Sequence, residues 1–241
     1  MRFDPPLIPA RLIRRYKRFL ADVVLESGET ITVHTPNTGS MQGCAEPGMR
    51  VWLRDTAGEK TAAKRKYRYS WDASETAQGV VVGVNTLFAN RLVEEAIEEG
   101  IIESLSAYTG LRREVRYGEK SRVDLLLEEG MRRCYVEVKN VTAVAAPGVA
   151  IFPDAVTTRG RRHLVELAAQ VDRGHRAVML FCIPRADVTI FQPAWAIDDD
   201  YARTLCEVAE QGVEIYAYKG DTTPSQSRLV APVDVDLTPL E

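Results

Sequence analysis

Residues 121–140 read SRVDLLLEEGMRRCYVEVKN. Two apolar runs flank EGMRR, so the stretch is expected to fold back as a β hairpin with one acid inside each strand region, Asp124 opening the first and Glu137 within the second. Carboxylates beside LLL and YV are costly to desolvate unless something pairs with them. Either both point to solvent from a half-exposed hairpin, or they face each other across it and hold a cation. Glu137 and Lys139, two apart, must project to the same face because strand side chains alternate. The spelling D-x12-E-x-K suits metal-assisted phosphodiester cleavage. Two carboxylates supply hard oxygen ligands for Mg2+, and an ammonium orients water and offsets charge in the transition state. A solvated Glu–Lys pair with Asp124 as a strand-end acid explains the same letters, because E-x-K is a common tripeptide.

Working outward, LFANRLVEEAIEEG (87–100) places Phe88, Leu92, Ala96 and Ile97 on one stripe with acids opposite, and Gly100 ends it, as in an amphipathic helix. Strands follow at REVRYG, VDLLLE and CYVEVKNV. TTRGRRHLVELAAQVDRG (157–174) is a second helix with Leu164, Leu167, Ala168 and Val171 inward. RAVMLFCIP is a continuous apolar run, the mark of a buried parallel strand. DDDYARTLCEVAEQG is a helix with acids in its first turn, favourable to its dipole, and VEIYAYKG is a last strand. From Asp221 the tail is polar and contains Pro, and reads as loop. The order α-β-β-β-α-β-α-β implies a mixed sheet flanked by helices.

Upstream of Asn85 the pattern is different. Residues 12–33 read as two strands, YKRFLADVVLE and TITVHT, joined by SGE. GMRVWLRD is a third, with Val51 and Leu53 on one face and Trp52 on the other. KRKYRYSWD is a basic and aromatic stretch, and GVVVGV is a last strand. Short strands at close spacing with Gly/Pro turns fit a small barrel, OB-like in size. The expected division is therefore 1–82 and 83–241.

The 241 residues are 45% hydrophobic and 27% charged, ordinary for a globular chain with ample material for a core. No apolar run approaches the ~18 residues of a membrane span. The N-terminus lacks the apolar core and cleavage site of a signal peptide. Four scattered cysteines with no CxxC pair argue against structural zinc and a disulfide framework, and fit a reducing cytoplasm. The net charge of −3 hides an asymmetry: residues 1–80 hold 13 Lys/Arg against 9 Asp/Glu, so the remainder is strongly acidic. A basic first segment can meet phosphates although the pI is 5.8.

A helix, then a three-strand meander carrying D…ExK, then helix, strand and helix resembles the core of the PD-(D/E)xK nuclease superfamily. That resemblance implies a further acid from the first helix. Glu94 and Glu95 in RLVEEAI are the candidates, and Glu95 is taken as the third metal ligand beside Asp124 and Glu137. Solvated acids on an amphipathic helix are the competing explanation. Pro153-Asp154 is a literal PD with no E-x-K after it, in a loop before a helix, and is set aside. Several stretches together, RYKRFLADV (15–23), HTPNTGSM (34–41), KRKY (64–67), VNTLFANRLVEEAI (84–97), SRVDLLL (121–127), YVEVKNVT (135–142), FPDAVTTRGRRHL (152–164) and GVEIYAYK (212–219), are similar nearly end to end to the sugar fermentation stimulation protein family of bacteria and archaea. His34 is followed by Thr35 where relatives are expected to carry Cys. The resemblance implies an N-terminal OB-fold domain, a C-terminal nuclease-like α/β domain, DNA binding, and a link to regulation of sugar (maltose) fermentation genes.

Around a metal site, Arg159, Arg161 and Arg162 at a helix start would grip phosphates; a solvated basic helix start, with His163 a packed or exposed bystander, explains the same letters. RRYKRF and KRKYRY interleave cations with aromatics, so Arg15, Lys17, Arg18, Lys64, Arg65 and Lys66 are candidate nucleic-acid contacts. Amphipathic strands with inward aromatics would look alike. PNTGS reads as a turn with Asn37 and Gly39 free to take positive φ. The expected partner is DNA, single- or double-stranded, with no membrane and with a homodimer as one assembly. The expected cofactor is Mg2+, or Mn2+ in its place. A metal-dependent endodeoxyribonuclease, a non-catalytic DNA-binding regulator on the same scaffold, and an RNA-binding factor all fit. A carbohydrate enzyme fits least, since glycosidase carboxylates need no Lys partner.

Overall fold

The computed structural model describes residues 1–59, 63, 65–117 and 121–239. Five strands, β1 (Ile8–Tyr16), β2 (Leu20–Leu25), β3 (Thr30–His34), β4 (Arg50–Asp55) and β5 (Tyr69–Glu75), lie in the order β3-β2-β1-β4-β5. A parallel bridge between His34 and Ser70 joins β3 back to β5 and closes the barrel. β6 (Val81–Gly83) extends β5 on the outside. Alternation puts Leu12, Val23, Val33, Val51, Leu53 and Trp71 into one core, so closure buries one face of every strand and removes free edges. This is the OB-like topology that the spacing suggests.

One expected strand is divided. YKRFLADVVLE breaks at Lys17–Phe19, where Lys17 (φ 49°) and Arg18 (φ 64°) take left-handed conformations and Tyr16 pairs with Leu20. No Gly, Asn or Pro marks this turn, so composition alone runs it through as strand. PNTGS also differs: the positive φ falls on Met41 (54°), not on Asn37 or Gly39.

The second unit is built on a six-stranded mixed sheet, β15-β14-β12-β9-β8-β7. β7 (Gly110–Tyr117), β8 (Ser121–Glu129) and β9 (Arg132–Asn140) form the antiparallel meander. The β8–β9 turn is made by Gly130 (φ 58°) and the 95% exposed Met131. β12 (Arg176–Ile183) runs parallel to both β9 and β14 (Glu214–Thr222), buried along almost its whole length as its continuous apolar run requires. Helix α1 (Ala89–Glu98) covers one face through Leu92, Val93, Ala96 and Ile97. Helices α2 (Thr158–Asp172) and α3 (Asp199–Glu210) cover the other.

The tail is not loop. β15 (Ser227–Pro232) adds antiparallel to β14, and β16 (Asp234–Val235) joins a small second sheet, β10-β11-β13-β16, with β10 (Val144–Ala146), β11 (Gly148–Phe152) and β13 (Val188–Pro193). These strands are short, and tertiary pairing rather than local pattern forms them. Among the described residues no helix is long and apolar enough to cross a membrane.

The two units are locked together at named points. Asn37 Nδ2 donates to Val84 O (3.1 Å) and its Oδ1 accepts from Gly39 N (2.8 Å). Asp154 accepts from Ser40 Oγ and Met41 N, both at 3.2 Å. A Cβ on Gly39 would fall within 2.7 Å of Asp154 Oδ1, so only glycine permits this approach. The loop after β3 is thereby clamped to the loop before α2. Residues 1–7 run along the second unit, with Phe3 N bonded to Ser225 O and Leu7 N to Pro224 O.

Candidate active site

The regular β8–β9 ladder ends at the pair Leu125–Val136. One step further in the same register, Asp124 stands opposite Glu137. There the backbone ladder gives way to a side chain: Asp124 Oδ2 accepts from Val138 N at 2.8 Å. β9 meanwhile stays paired with β12, Glu137 against Met179 and Lys139 against Phe181. Parallel pairing holds Glu137 and Lys139 in place while β8 peels away, and the gap is the site. Such crevices at the carboxyl ends of parallel strands are where α/β sheets bind ligands.

On β7 the same row carries Glu114, between the pairs Arg113–Leu125 and Val115–Val123. Its φ is 54°, a strained value for a non-glycine residue. Side-chain alternation slips at this row on both strands: Leu111 and Leu125 pack toward α1, whereas Val115 and Val123 pack toward α2. Three acids, Glu114, Asp124 and Glu137, therefore occupy one row across three neighbouring strands.

Glu137 is the centre of a buried network. It is 2% exposed. Its Oε1 accepts from Lys139 Nζ at 2.7 Å and from His163 Nδ1, while Lys139 Nζ and His163 Nδ1 lie 3.4 Å apart. Burial alone would raise the Glu137 carboxyl, but the His163 hydrogen bond and the Lys139 charge outweigh it and hold it below its usual value. Asp124 goes the other way: burial and then the charge of Glu137 push it up, against the bonds from Val138 N and Asn90. Two neighbouring carboxyls with opposed shifts form an electrostatically coupled pair.

Glu137 Oε2 is buried and has no hydrogen-bond partner among the described residues. A buried carboxylate oxygen without a donor is expensive, and a hard cation shared with Asp124 is a group that would satisfy it. Among the described residues no group of three or more His, Cys, Asp or Glu side chains is arranged as a ready cage. The residues present thus fit a cation held by two protein carboxylates with water or phosphate oxygens completing its shell.

Asp124 and Lys139 open onto a cleft of about 1200 Å3 that spans both units. Its walls include Arg18 and the clamped loop of Gly39 on the barrel side, and Asn90, Asp154 and Arg159 on the other. Leu87 and Val156, each 72% exposed, also face into it. α2 begins at the cleft with a built cap: Thr157 Oγ1 accepts from Gly160 N at 3.0 Å, and Thr157 N donates to Asp198, which itself caps α3.

Asp124, Glu137 and Lys139 are brought together as the spacing suggests. Glu95 is not. Its two oxygens are taken by the Met1 amino group and by Arg91 Nε (2.8 Å), away from the cleft. The contribution of α1 is instead Asn90, whose Nδ2 donates to Asp124 Oδ1 at 2.9 Å. Glu94 is paired with Arg113.

Among the cations, Arg15 is occupied as a clamp on the carbonyls of Asn37, Gly39, Ser40 and Arg18 at 2.5–3.1 Å. Lys17 and Arg18 are exposed at the turn tip beside the 45% exposed Phe19. Arg65 is bridged to Glu59 at 3.0 Å, and exposed Lys66 sits over the Tyr67 ring. Lys64 lies outside the described residues. Arg159 lines the cleft, but Arg161 turns away to Asp200 on α3. His163 is a working part of the Glu137 network rather than a bystander. Its signal was present in the sequence: it lies next to Leu164 on the buried stripe of α2, where a polar residue needs a partner.

Comparison with known proteins agrees with this architecture. The model of the sugar fermentation stimulation protein N-terminal OB domain matches residues 13–84, and that of the RE domain of the same protein matches residues 87–226. The sugar fermentation stimulation protein homolog of Thioalkalivibrio sulfidiphilus is 54% identical over 239 residues, 99% of each chain. That of Maricaulis maris is 48% identical over 239 residues, 99% of this chain and 100% of its own. The solved structure of Pyrococcus furiosus SfsA in complex with Ca2+ superposes with a TM-score of 0.84 at 28% identity, covering 96% of each chain. With both of its halves matched and near-complete relatives at about half identity, this chain belongs to the sugar fermentation stimulation protein family.

Proposed function

We propose that the protein is a cytoplasmic DNA-binding enzyme that hydrolyses phosphodiester bonds at the Asp124–Glu137–Lys139 site with Mg2+, or Mn2+ in its place. The observation that carries this reading is the buried, unpartnered Oε2 of Glu137 in register with Asp124. A cation there would polarise the phosphate and lower the pKa of bound water. The relative solved with Ca2+ supports a divalent-metal site in this fold. Lys139, fixed against Glu137 Oε1, places its ammonium where charge develops on the phosphate. His163 and Lys139 hold the Glu137 carboxylate in one orientation, and Asn90 does the same for Asp124. Arg18 and Arg159 on opposite walls give a strand its phosphate contacts.

A second reading is a DNA-binding regulator of sugar (maltose) metabolism genes that no longer cuts. It is favoured by the lack of a third ligating side chain among the described residues, and by the charge already placed on Oε1 of Glu137. One experiment separates the two: pure protein incubated with supercoiled, linear and single-stranded DNA, with and without Mg2+ or Mn2+. Metal-dependent strand breaks support the enzyme. Protein that binds these DNAs and cuts none with either metal supports the regulator.

A further inference from the structure

A second cavity of about 240 Å3 shares Glu114, Asp124 and Arg159 with the large cleft and is otherwise lined by Arg122, Arg162 and His163 among others. Among the described residues, none of its three arginines makes an ion pair or a side-chain hydrogen bond. Their neighbours differ: Arg112, Arg113 and Arg161 are paired with Glu128, Glu94 and Asp200. Arg122 also faces Arg116 directly across the β7–β8 ladder, a like-charge pair that weakens a sheet unless an anion offsets it. Ser121, 5% exposed, also lines the cavity, and its buried Oγ has no hydrogen-bond partner among the described residues. Unpaired guanidinium groups around a small cavity, beside a buried hydroxyl with no partner, form an anion site.

We propose that this pocket binds the terminal phosphate monoester of a nucleic-acid strand, so that cleavage is counted from an end. The inference rests on the nuclease reading for its position beside the scissile site. Of the two acids of the pocket, Asp124 is taken by the cation in that reading, which leaves three arginines against Glu114 for the ligand. An internal phosphodiester carries one negative charge, whereas a terminal monoester carries about −1.5 to −2 at neutral pH and offers three acceptor oxygens. The monoester matches the charge and donor count of the pocket better. Its small volume beside a much larger cleft also suits a chain end rather than a continuing strand.

The test uses the full chain in Ca2+ buffer and fluorescent single strands of one sequence that carry a 5′-phosphate, a 3′-phosphate or neither. One phosphorylated strand should bind at least about tenfold tighter than the unphosphorylated one, the effect of losing one or two charge-assisted hydrogen bonds. Arg122→Gln and Arg162→Gln, at exposed positions with no ion-pair partners, should each erase most of that preference, and with Arg122→Gln the unphosphorylated strand should bind as before. Arg173→Gln, at the far end of α2, should keep it. Equal affinity for all three strands, or a preference that survives both substitutions, overturns the end-binding pocket. Cleavage of the same strands in Mg2+, measured in parallel, shows whether the nuclease reading stands without it. No binding to any strand overturns both.

Discussion

Asp72 in the barrel and Glu137 in the second unit are both 2% exposed and both sit on central strands, yet they are differently finished. Asp72 is closed. Its Oδ1 accepts from Ser70 Oγ (2.6 Å) and Asn85 Nδ2 (2.8 Å), and its Oδ2 from Arg54 Nε (2.5 Å). Glu137 is open, with two donors on Oε1 and none on Oε2. A buried acid with every oxygen satisfied holds a fold together. One with an unpartnered oxygen beside a cleft has capacity for a ligand.

Exchanging the two acids tests this contrast most severely. Glu137→Ala should lower Mg2+-dependent cleavage by about a thousandfold or more, since it removes a carboxylate from both the cation and Lys139. DNA affinity should stay within a few-fold, because arginine and lysine contacts supply most of it. Melting in metal-free buffer should fall less than for Asp72→Ala, since relief of the repulsion against Asp124 offsets part of the loss of the Lys139 and His163 bonds. Asp72→Ala should do the reverse. It leaves Ser70 Oγ and Asn85 Nδ2 without their acceptor and Arg54 with Glu59 alone, and should cost about 3 kcal/mol of stability, while the folded fraction cuts normally. If Glu137→Ala unfolds the protein and Asp72→Ala abolishes cleavage without destabilising it, the comparison is wrong.

A smaller effect sharpens the role of the open network. Lys139→Ala should reduce the cleavage rate by about a hundredfold while the Mn2+ midpoint of activity moves little, because the ammonium acts on water and phosphate rather than on the ion. A large shift in that midpoint with an unchanged maximal rate would make Lys139 a metal-site organiser instead.

Smaller again is the part played by the barrel turn. Replacing Lys17, Arg18 and Lys66 by Ala should weaken DNA binding and flatten the dependence of log affinity on log salt, by about 0.7–0.9 for each phosphate the variant no longer neutralises. An unchanged slope would make these three side chains a solvated surface.

The smallest expected change concerns another closed pair. Arg185, 3% exposed, holds Asp187 at 2.6 and 2.7 Å and also donates to Thr142 O at 2.8 Å. The Arg185 hydrogen bonds keep the Asp187 carboxyl below its usual value. A lowered carboxyl stabilises the fold above its unfolded pKa, about 3.9, and loses that contribution as pH falls through the folded value. Asp187→Asn should therefore lower the melting temperature near neutral pH and have little effect at the most acidic pH where the protein still folds. Because Asp187 is partly exposed, the difference should be about 1 kcal/mol or less. A pH-independent difference would point to packing rather than charge.

The parts of the site legible in the sequence are those set by local geometry. Asp124, Glu137 and Lys139 lie on one hairpin, where a tight turn and two-residue alternation determine which side chains share a face. Glu95 misled because residues i and i+1 on a helix point about 100° apart, and only packing shows which of them meets the sheet. The residue that does so is Asn90, which is not an acid. Glu114 was hidden for a different reason. Its positive φ breaks the alternation that assigns side chains to strand faces. The Lys17–Phe19 turn escaped because none of its residues is a turn former.

By itself the sequence determined the two-part architecture, the apolar alternation of β2, β3 and β4 in the barrel, and the D…ExK hairpin, because periodicity and turn chemistry act over a few residues. Tertiary structure alone decided three things. It clamped the loop of Gly39 onto Asp154, so that the cleft belongs to both units. It set His163 and Asn90 against the two acids. It also gathered Arg122, Arg159 and Arg162 around one small pocket. Each depends on contacts between residues far apart in the chain, and those follow from how helices and sheets pack rather than from any local pattern.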